Sequence, residues 1–145
     1  DIRMKANYKF LEHTADELFV AEASTLGELF EQCGLAVEEV QVNLKQFSAE
    51  QKREITGENE NIEYLLFDFL DDLLFHKDSE RIIFSKFDCK VTEEKGKYKL
   101  TCIAYGEKID PEKHEQKVDI KAITMHMFEV KKTDKGWYAK VLVDI

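Results

Sequence analysis

The sequence sets chemically active groups close together in three places: His13 beside Asp16, the acidic run Asp68, Asp71 and Asp72, and the pair Asp144-Ile145. A loop His-Asp pair ligates metal or shuttles protons, or else it hydrogen-bonds its own turn. Asp68 and Asp72 are an i,i+4 pair on an outer helix face, which reads as a solvated acidic surface. Phe67 and Phe69 flank Asp68 and leave room for its partial burial. A strand closing on the Asp144 side chain and a main-chain carboxylate at Ile145 concentrates negative charge at one sheet end. That is costly unless a cation lies nearby, or the end is simply solvated. Of the remaining histidines, His76 falls at a helix C-terminus, where an imidazolium is favoured. His114, within Asp110–Lys117, reads as solvated, and His126 reads as a satisfied buried residue interrupting an apolar strand.

Other chemistries find no support. The six glycines supply neither a G-x-G-x-x-G loop nor a Walker A. No G-x-S-x-G elbow and no H-E-x-x-H is present. Cys33, Cys89 and Cys102 are widely spaced and odd in number, which argues against a disulfide framework or a thiolate zinc site. They read as buried free thiols.

The elements that must position these groups are legible from periodicity. Short strands at Tyr8–Leu11 and Leu18–Glu22 flank the tetrad His13-Thr14-Ala15-Asp16. Thr25, with Glu28 three residues on, forms a capping box. It opens a helix whose apolar face is Leu26, Leu29, Phe30, Cys33, Val37 and Val40. A short strand is expected around Arg53–Thr56. Asn61 starts a second helix with the stripe Ile62, Leu65, Leu66, Phe69, Leu70, Leu73 and Leu74. Beyond Arg81 the period becomes alternating, predicting strands over Ile82–Thr92, Tyr98–Tyr105, Val118–Val130 and Trp137–Asp144. Glu94-Lys95-Gly96 and Asp134-Lys135-Gly136 are the hairpin turns. The class is α+β: two amphipathic helices packed on a mostly antiparallel β-sheet.

The chain has 145 residues and one proline, with no Gly/Ser-rich linker, so a single domain over 1–145 is expected. Residues 1–7 read as a flexible start, and Asp1–Arg3 before Met4 as an expression remnant. A formal charge of −9 argues against wrapping a phosphate backbone. No apolar run approaches the ~18 residues of a membrane span, and no secretory h-region precedes the first strand. A soluble, cytoplasmic protein is expected.

Several segments together resemble the archease family, the protein cofactors of RtcB-type RNA ligases. They are His13-Thr14-Ala15-Asp16, Thr25-Leu26-Gly27-Glu28-Leu29-Phe30, Tyr64-Leu65-Leu66-Phe67-Asp68-Phe69-Leu70 and Phe84-Ser85-Lys86-Phe87. Gly106–Glu115, Lys121-Ala122-Ile123-Thr124-Met125-His126-Met127 and Val143-Asp144-Ile145 complete the set. Met125 stands where the family often has an aromatic residue. The resemblance implies a catalytic cofactor rather than an enzyme, one that stimulates GTP-dependent guanylylation of the ligase and its multiple turnover in tRNA splicing and RNA repair. It implies a metal site at Asp16, Asp144 and the main-chain carboxylate of Ile145. Oxygen ligands of this kind suit Ca²⁺, Mg²⁺ or Mn²⁺ rather than zinc. His13, Asp68, Lys121 and His126 become candidate partner or phosphate contacts, and the partner implied is the ligase, with no direct nucleic-acid or membrane binding. Two other readings compete: a chaperone-like binding module for nucleic-acid-processing enzymes, and a metal-dependent hydrolase built on Asp16, Asp144 and His13.

Overall fold

Thr25 and Asn61 cap the two helices as their side chains require. A computed structural model of the chain, describing residues 4–12 and 16–145, gives the element order. In chain order the elements are β1 (Asn7–Leu11), β2 (Asp16–Ala23), α1 (Leu26–Gln41), β3 (Gln51–Asn59) and α2 (Ile62–Glu80). They continue with β4 (Ile82–Glu94), β5 (Lys97–Lys108), β6 (Ala122–Thr133) and β7 (Gly136–Asp144). The Thr25 Oγ1 accepts from the Glu28 N–H at 3.2 Å. The Asn61 Oδ1 accepts from the N–H groups of Glu63 and Tyr64, at 2.8 and 3.1 Å. Each bond satisfies a donor that the first helical turn would otherwise leave orphaned.

The α+β class is as expected, and the strands divide between two antiparallel sheets. One has the order β1-β2-β7-β6 and the other β3-β5-β4. The core lies between them and the helices: Phe19, Phe30, Phe69, Phe84 and Leu70 are fully buried within it. Both apolar helix stripes point inward, with Leu29, Cys33 and Val37 of α1 and Leu65, Leu66, Leu73 and Leu74 of α2 buried. Lys95 and Gly96 join β4 to β5 with φ of 53° and 78°, the left-handed pair that a two-residue hairpin requires.

Three strands differ most from expectation. β2 begins at Asp16 rather than Leu18, so Asp16 belongs to the strand and not to a loop. The segment around Arg53–Thr56 is longer, because β3 pairs with β5 from Gln51 to Asn59. The strand over Val118–Val130 begins only at Ala122. The preceding residues are held by the helices instead: the Lys117 N–H donates to the Gln41 carbonyl at 2.8 Å, and Asp119 pairs with Lys77 at 2.6 Å.

α1 lies along the open edge of β4. At Gly27 its backbone meets the Cys89 carbonyl, and at Gly34 the Phe87 ring, so closely that a Cβ would collide at either position.

Candidate functional site

Three strand ends meet at one corner of the four-stranded sheet. Asp16, the first residue of β2, is directly opposite Asp144, the last of β7. On the other side of β7, Asp144 is opposite Ala122, the first residue of β6. The Lys121 N–H donates to the Asp144 carbonyl at 2.7 Å, so the ladder closes just before β6 begins. Residues directly opposite in an antiparallel pair project to the same face with Cβ atoms about 5 Å apart. The two aspartates therefore stand side by side, each half-buried. Ile145 packs its side chain against the core, which fixes the main chain immediately after Asp144.

The donor set at this corner suits a hard cation. Two carboxylates on one face supply oxygen ligands, and like charges directly across a ladder repel one another until a cation comes between them. Among the described residues, no group of three or more His, Cys, Asp or Glu side chains is arranged to hold a metal.

The corner is braced from behind by a polar network. The buried Lys77 ammonium donates to Gln41 Oε1 at 3.0 Å and to Asp119 Oδ1 at 2.6 Å. This ties α1 and α2 to the segment that leads into Lys121. Upstream, the fully buried His114 ring stacks on Phe47 with centroids 3.8 Å apart. Its Nδ1 accepts from the Asp110 N–H at 2.9 Å, which leaves the proton on Nε2, donated to Glu107 Oε1 at 3.1 Å. Glu107 also takes the Lys113 ammonium at 2.7 Å and the Ser48 N–H at 2.9 Å. Together these donors, Lys113 foremost, draw its carboxyl down to about 2. Glu107, Lys113 and His114 thus satisfy one another and fold the segment that follows β5.

The other sequence-stated candidates fall as follows. His13 lies outside the described residues. Lys121 is exposed at the same corner as Asp16 and Asp144. Asp68 and Asp71 are exposed on α2 and Asp72 is half-buried, its carboxyl pushed up chiefly by that burial. Asp68 is not partly buried, because Phe67 and Phe69 turn away from it toward Phe128 and toward Phe30 and Phe87. His126 is exposed rather than buried. From Thr124 opposite Leu142 to Glu129 opposite Lys140, β6 advances five residues while β7 advances two. This bulge, with Met127 at φ 61°, lifts Met125, His126 and Met127 out of the alternation and into solvent. His114 is the converse correction, buried where a solvated ring was expected. His76 is half-buried, with Nδ1 2.8 Å from the Asp72 carbonyl one turn back.

Two residues escaped the sequence reading. Glu31 Oε2 accepts the Cys89 N–H and Glu38 Oε2 the Phe84 N–H, both at 2.8 Å. They satisfy the open edge of β4. Burial pushes the Glu38 carboxyl up to about 8, against the opposing pull of its hydrogen bonds and of Lys77. The available signal was spacing: Glu31 and Glu38 lie two helical turns apart, on a line facing β4.

The chain is similar to known proteins over nearly its whole length. Residues 8–145 match the Archease protein family. The chain is 40% identical over 139 residues to the protein archease of Methanosarcina mazei, covering 95% of each. It is 40% identical to that of Pyrococcus abyssi, covering 95% of this chain and 98% of the other. Its backbone is similar to the solution structure of Methanobacterium thermoautotrophicum protein 1598, with a TM-score of 0.84, 38% identity and coverage of 95% and 98%. A crystal structure of a Thermotoga maritima archease, described as a possible chaperone, shares the fold with a TM-score of 0.55 at 18% identity.

Proposed function

The chain belongs to the archease family, and from that premise we propose that it activates an RtcB-type RNA ligase as a protein cofactor, without being an enzyme itself. The observation that carries this reading is the direct register of Asp16 and Asp144 at one sheet corner. Asp16, Asp144 and the main-chain carboxylate of Ile145 would hold a divalent cation, Ca²⁺, Mg²⁺ or Mn²⁺. A divalent ion held by these residues would supply positive charge to stabilise the phosphate oxygens of GTP during guanylylation of a ligase histidine.

The chain's own residues have three tasks in this scheme. Asp16 and Asp144 offer acceptor oxygens on a common face. The Lys121 main chain clamps Asp144 so that its position does not fray, and the exposed Lys121 side chain is available to a phosphate or to an acidic residue of the ligase. The net charge of −9 suits a partner whose own channel must be basic to hold RNA. On this reading the protein works in the cytoplasm with the ligase, in tRNA splicing and RNA repair, and touches no nucleic acid itself. No described helix is long and apolar enough to cross a membrane.

A second reading, a chaperone-like binding module, draws on the exposed apolar side chains Phe10, Leu11, Met125 and Met127. Divalent-ion dependence separates the two, since a general binding module has no use for Asp16. The test is guanylylation of the cognate ligase by GTP, with and without this protein, across a divalent-ion titration. Stimulation that requires both the ion and Asp16 supports the ligase reading. Stimulation indifferent to both returns the protein to the module.

A further inference from the structure

Cys89 and Cys102 face each other across the β4–β5 ladder in direct register, with their sulfurs 3.0 Å apart. Both are free thiols. Two observations identify the pair as non-hydrogen-bonded, the kind in which opposite Cα atoms approach to about 4.5 Å. The Cys89 N–H is turned off the strand edge to Glu31 Oε2, at 2.8 Å. Its carbonyl is likewise turned outward, against Gly27 of α1. Neither main-chain group is therefore engaged with β5. A disulfide needs Cα atoms about 4.4–6.8 Å apart, so the backbone of such a pair already falls within the permitted range. Closure asks only that the sulfurs contract from 3.0 Å to about 2.05 Å.

We propose that Cys89 and Cys102 form an oxidisable dithiol, which peroxide converts in the folded protein to a disulfide stapling β4 to β5 beneath α1. Cys89 is 9% exposed and Cys102 0%, so Cys89 is the sulfur that meets the oxidant. Its thiolate attacks hydrogen peroxide: an S–O bond forms, the O–O bond breaks, and the departing hydroxide takes up the thiol proton as water. Cys102 then attacks the resulting sulfenic acid. The S–S bond forms, the S–O bond breaks, and the hydroxyl leaves with the Cys102 proton as a second water. Each sulfur gives up one electron, and peroxide accepts both.

The hydrogen bond to Cys102, together with burial, holds the Cys89 thiol well above the ordinary thiol range. Reaction at neutral pH is correspondingly slow, and the pair responds to sustained oxidant rather than to traces. Cys33, also fully buried, lies on α1 outside the β4–β5 ladder. The staple is far from Asp16 and Asp144 in the chain's pairing, since the two sheets share no ladder.

The experiment exposes the folded full chain to hydrogen peroxide, quenches, then alkylates under denaturing conditions and maps peptides by mass. The expected product is lighter by about 2 Da before alkylation, the mass of the two hydrogens lost in forming the bond. It carries one alkylated thiol, Cys33, and a peptide in which Cys89 is linked to Cys102. C33A should behave identically, and C102S should instead trap a sulfenic acid at Cys89. Should C102S fail to fold, the wild-type peptide map decides alone. Three alkylatable thiols after oxidant exposure, or oxygen added to Cys89 or Cys102 without a link between them, would overturn the proposal.

Discussion

Glu31 and Glu38 reach from α1 to the open edge of β4, where each carboxylate takes a backbone N–H of its own chain. Asp16 and Asp144 also sit at strand edges, but they are set opposite one another across a ladder, on one face of the sheet. In the first region the acceptor oxygens are consumed by main-chain donors that burial would otherwise strand. In the second the two side chains share one face at the end of the sheet. An acidic residue is thus read by where its oxygens are aimed. The glutamates hold the fold together, and the aspartates are the pair that the proposed function assigns to a cation.

Asp16→Ala or Asp144→Ala should have the largest effect on activity, reducing ligase guanylylation to the level seen without this protein. The unfolding free energy should stay within about 0.5 kcal/mol of wild type, and a large drop in it would erase the contrast between the two regions.

Glu38→Ala should do the reverse. It leaves the Phe84 N–H and the Gln41 amide short of a partner in a fully buried site. A loss of about 3 kcal/mol in equilibrium unfolding is expected, while the activity of the protein that remains folded is unchanged.

The wild-type pH profile sharpens the same point. With the folded Glu38 carboxyl raised to about 8, the native state binds more protons than the unfolded state between roughly pH 4.5 and 8. Stability present below pH 4.5 is therefore lost as pH rises through that window, by at most ~1.4 kcal/mol per pH unit. Urea midpoints measured across the window should flatten in Glu38→Gln but not in Asp16→Asn.

Adding a single glycine after Ile145 should weaken divalent binding, read by calorimetry, without moving the thermal midpoint. It turns the Ile145 carboxylate into a peptide carbonyl and carries the charge about 3.5 Å onward. An affinity equal to wild type would remove the Ile145 carboxylate from the proposed ligand set.

The smallest effect is expected for Thr25→Ala, about 1 kcal/mol in chemical unfolding. It removes the cap that starts α1 and so probes how firmly the helix is seated on β4.

What could be read from sequence was local. Thr25 and Asn61 announce their helices because a cap needs only the next three residues. The burial of Leu65, Leu66, Phe69 and Leu70 follows from period alone, and Lys95-Gly96 marks its own turn. The split into two sheets was not legible, because β3 finds β5 across the whole of α2 and β4, a pairing no window of sequence contains. The same holds at the corner: Asp16 stood out beside His13 and Asp144 beside Ile145, but nothing local joins the two, and only family resemblance put them in one site. His114 and His126 were misplaced for a related reason. One is buried by a stack on Phe47 from a distant segment, and the other is exposed by a bulge that breaks the alternation from which burial was inferred. Glu31 and Glu38 passed unremarked because a charged helix residue ordinarily faces water, and the strand edge that uses them is far along the chain.

The position of β7 has a consequence for how the chain is made. It is the last strand in sequence yet lies in the interior of its sheet, between β2 and β6. As the chain leaves the ribosome, α1, α2 and the β3-β5-β4 sheet emerge complete, and packing generally proceeds from the N-terminal side during synthesis. The β1–β2 hairpin and β6 have nothing to join them until β7 arrives. The corner of Asp16 and Asp144 therefore cannot exist on a chain that stops short of β7, and a fragment that folds well enough to persist still lacks it.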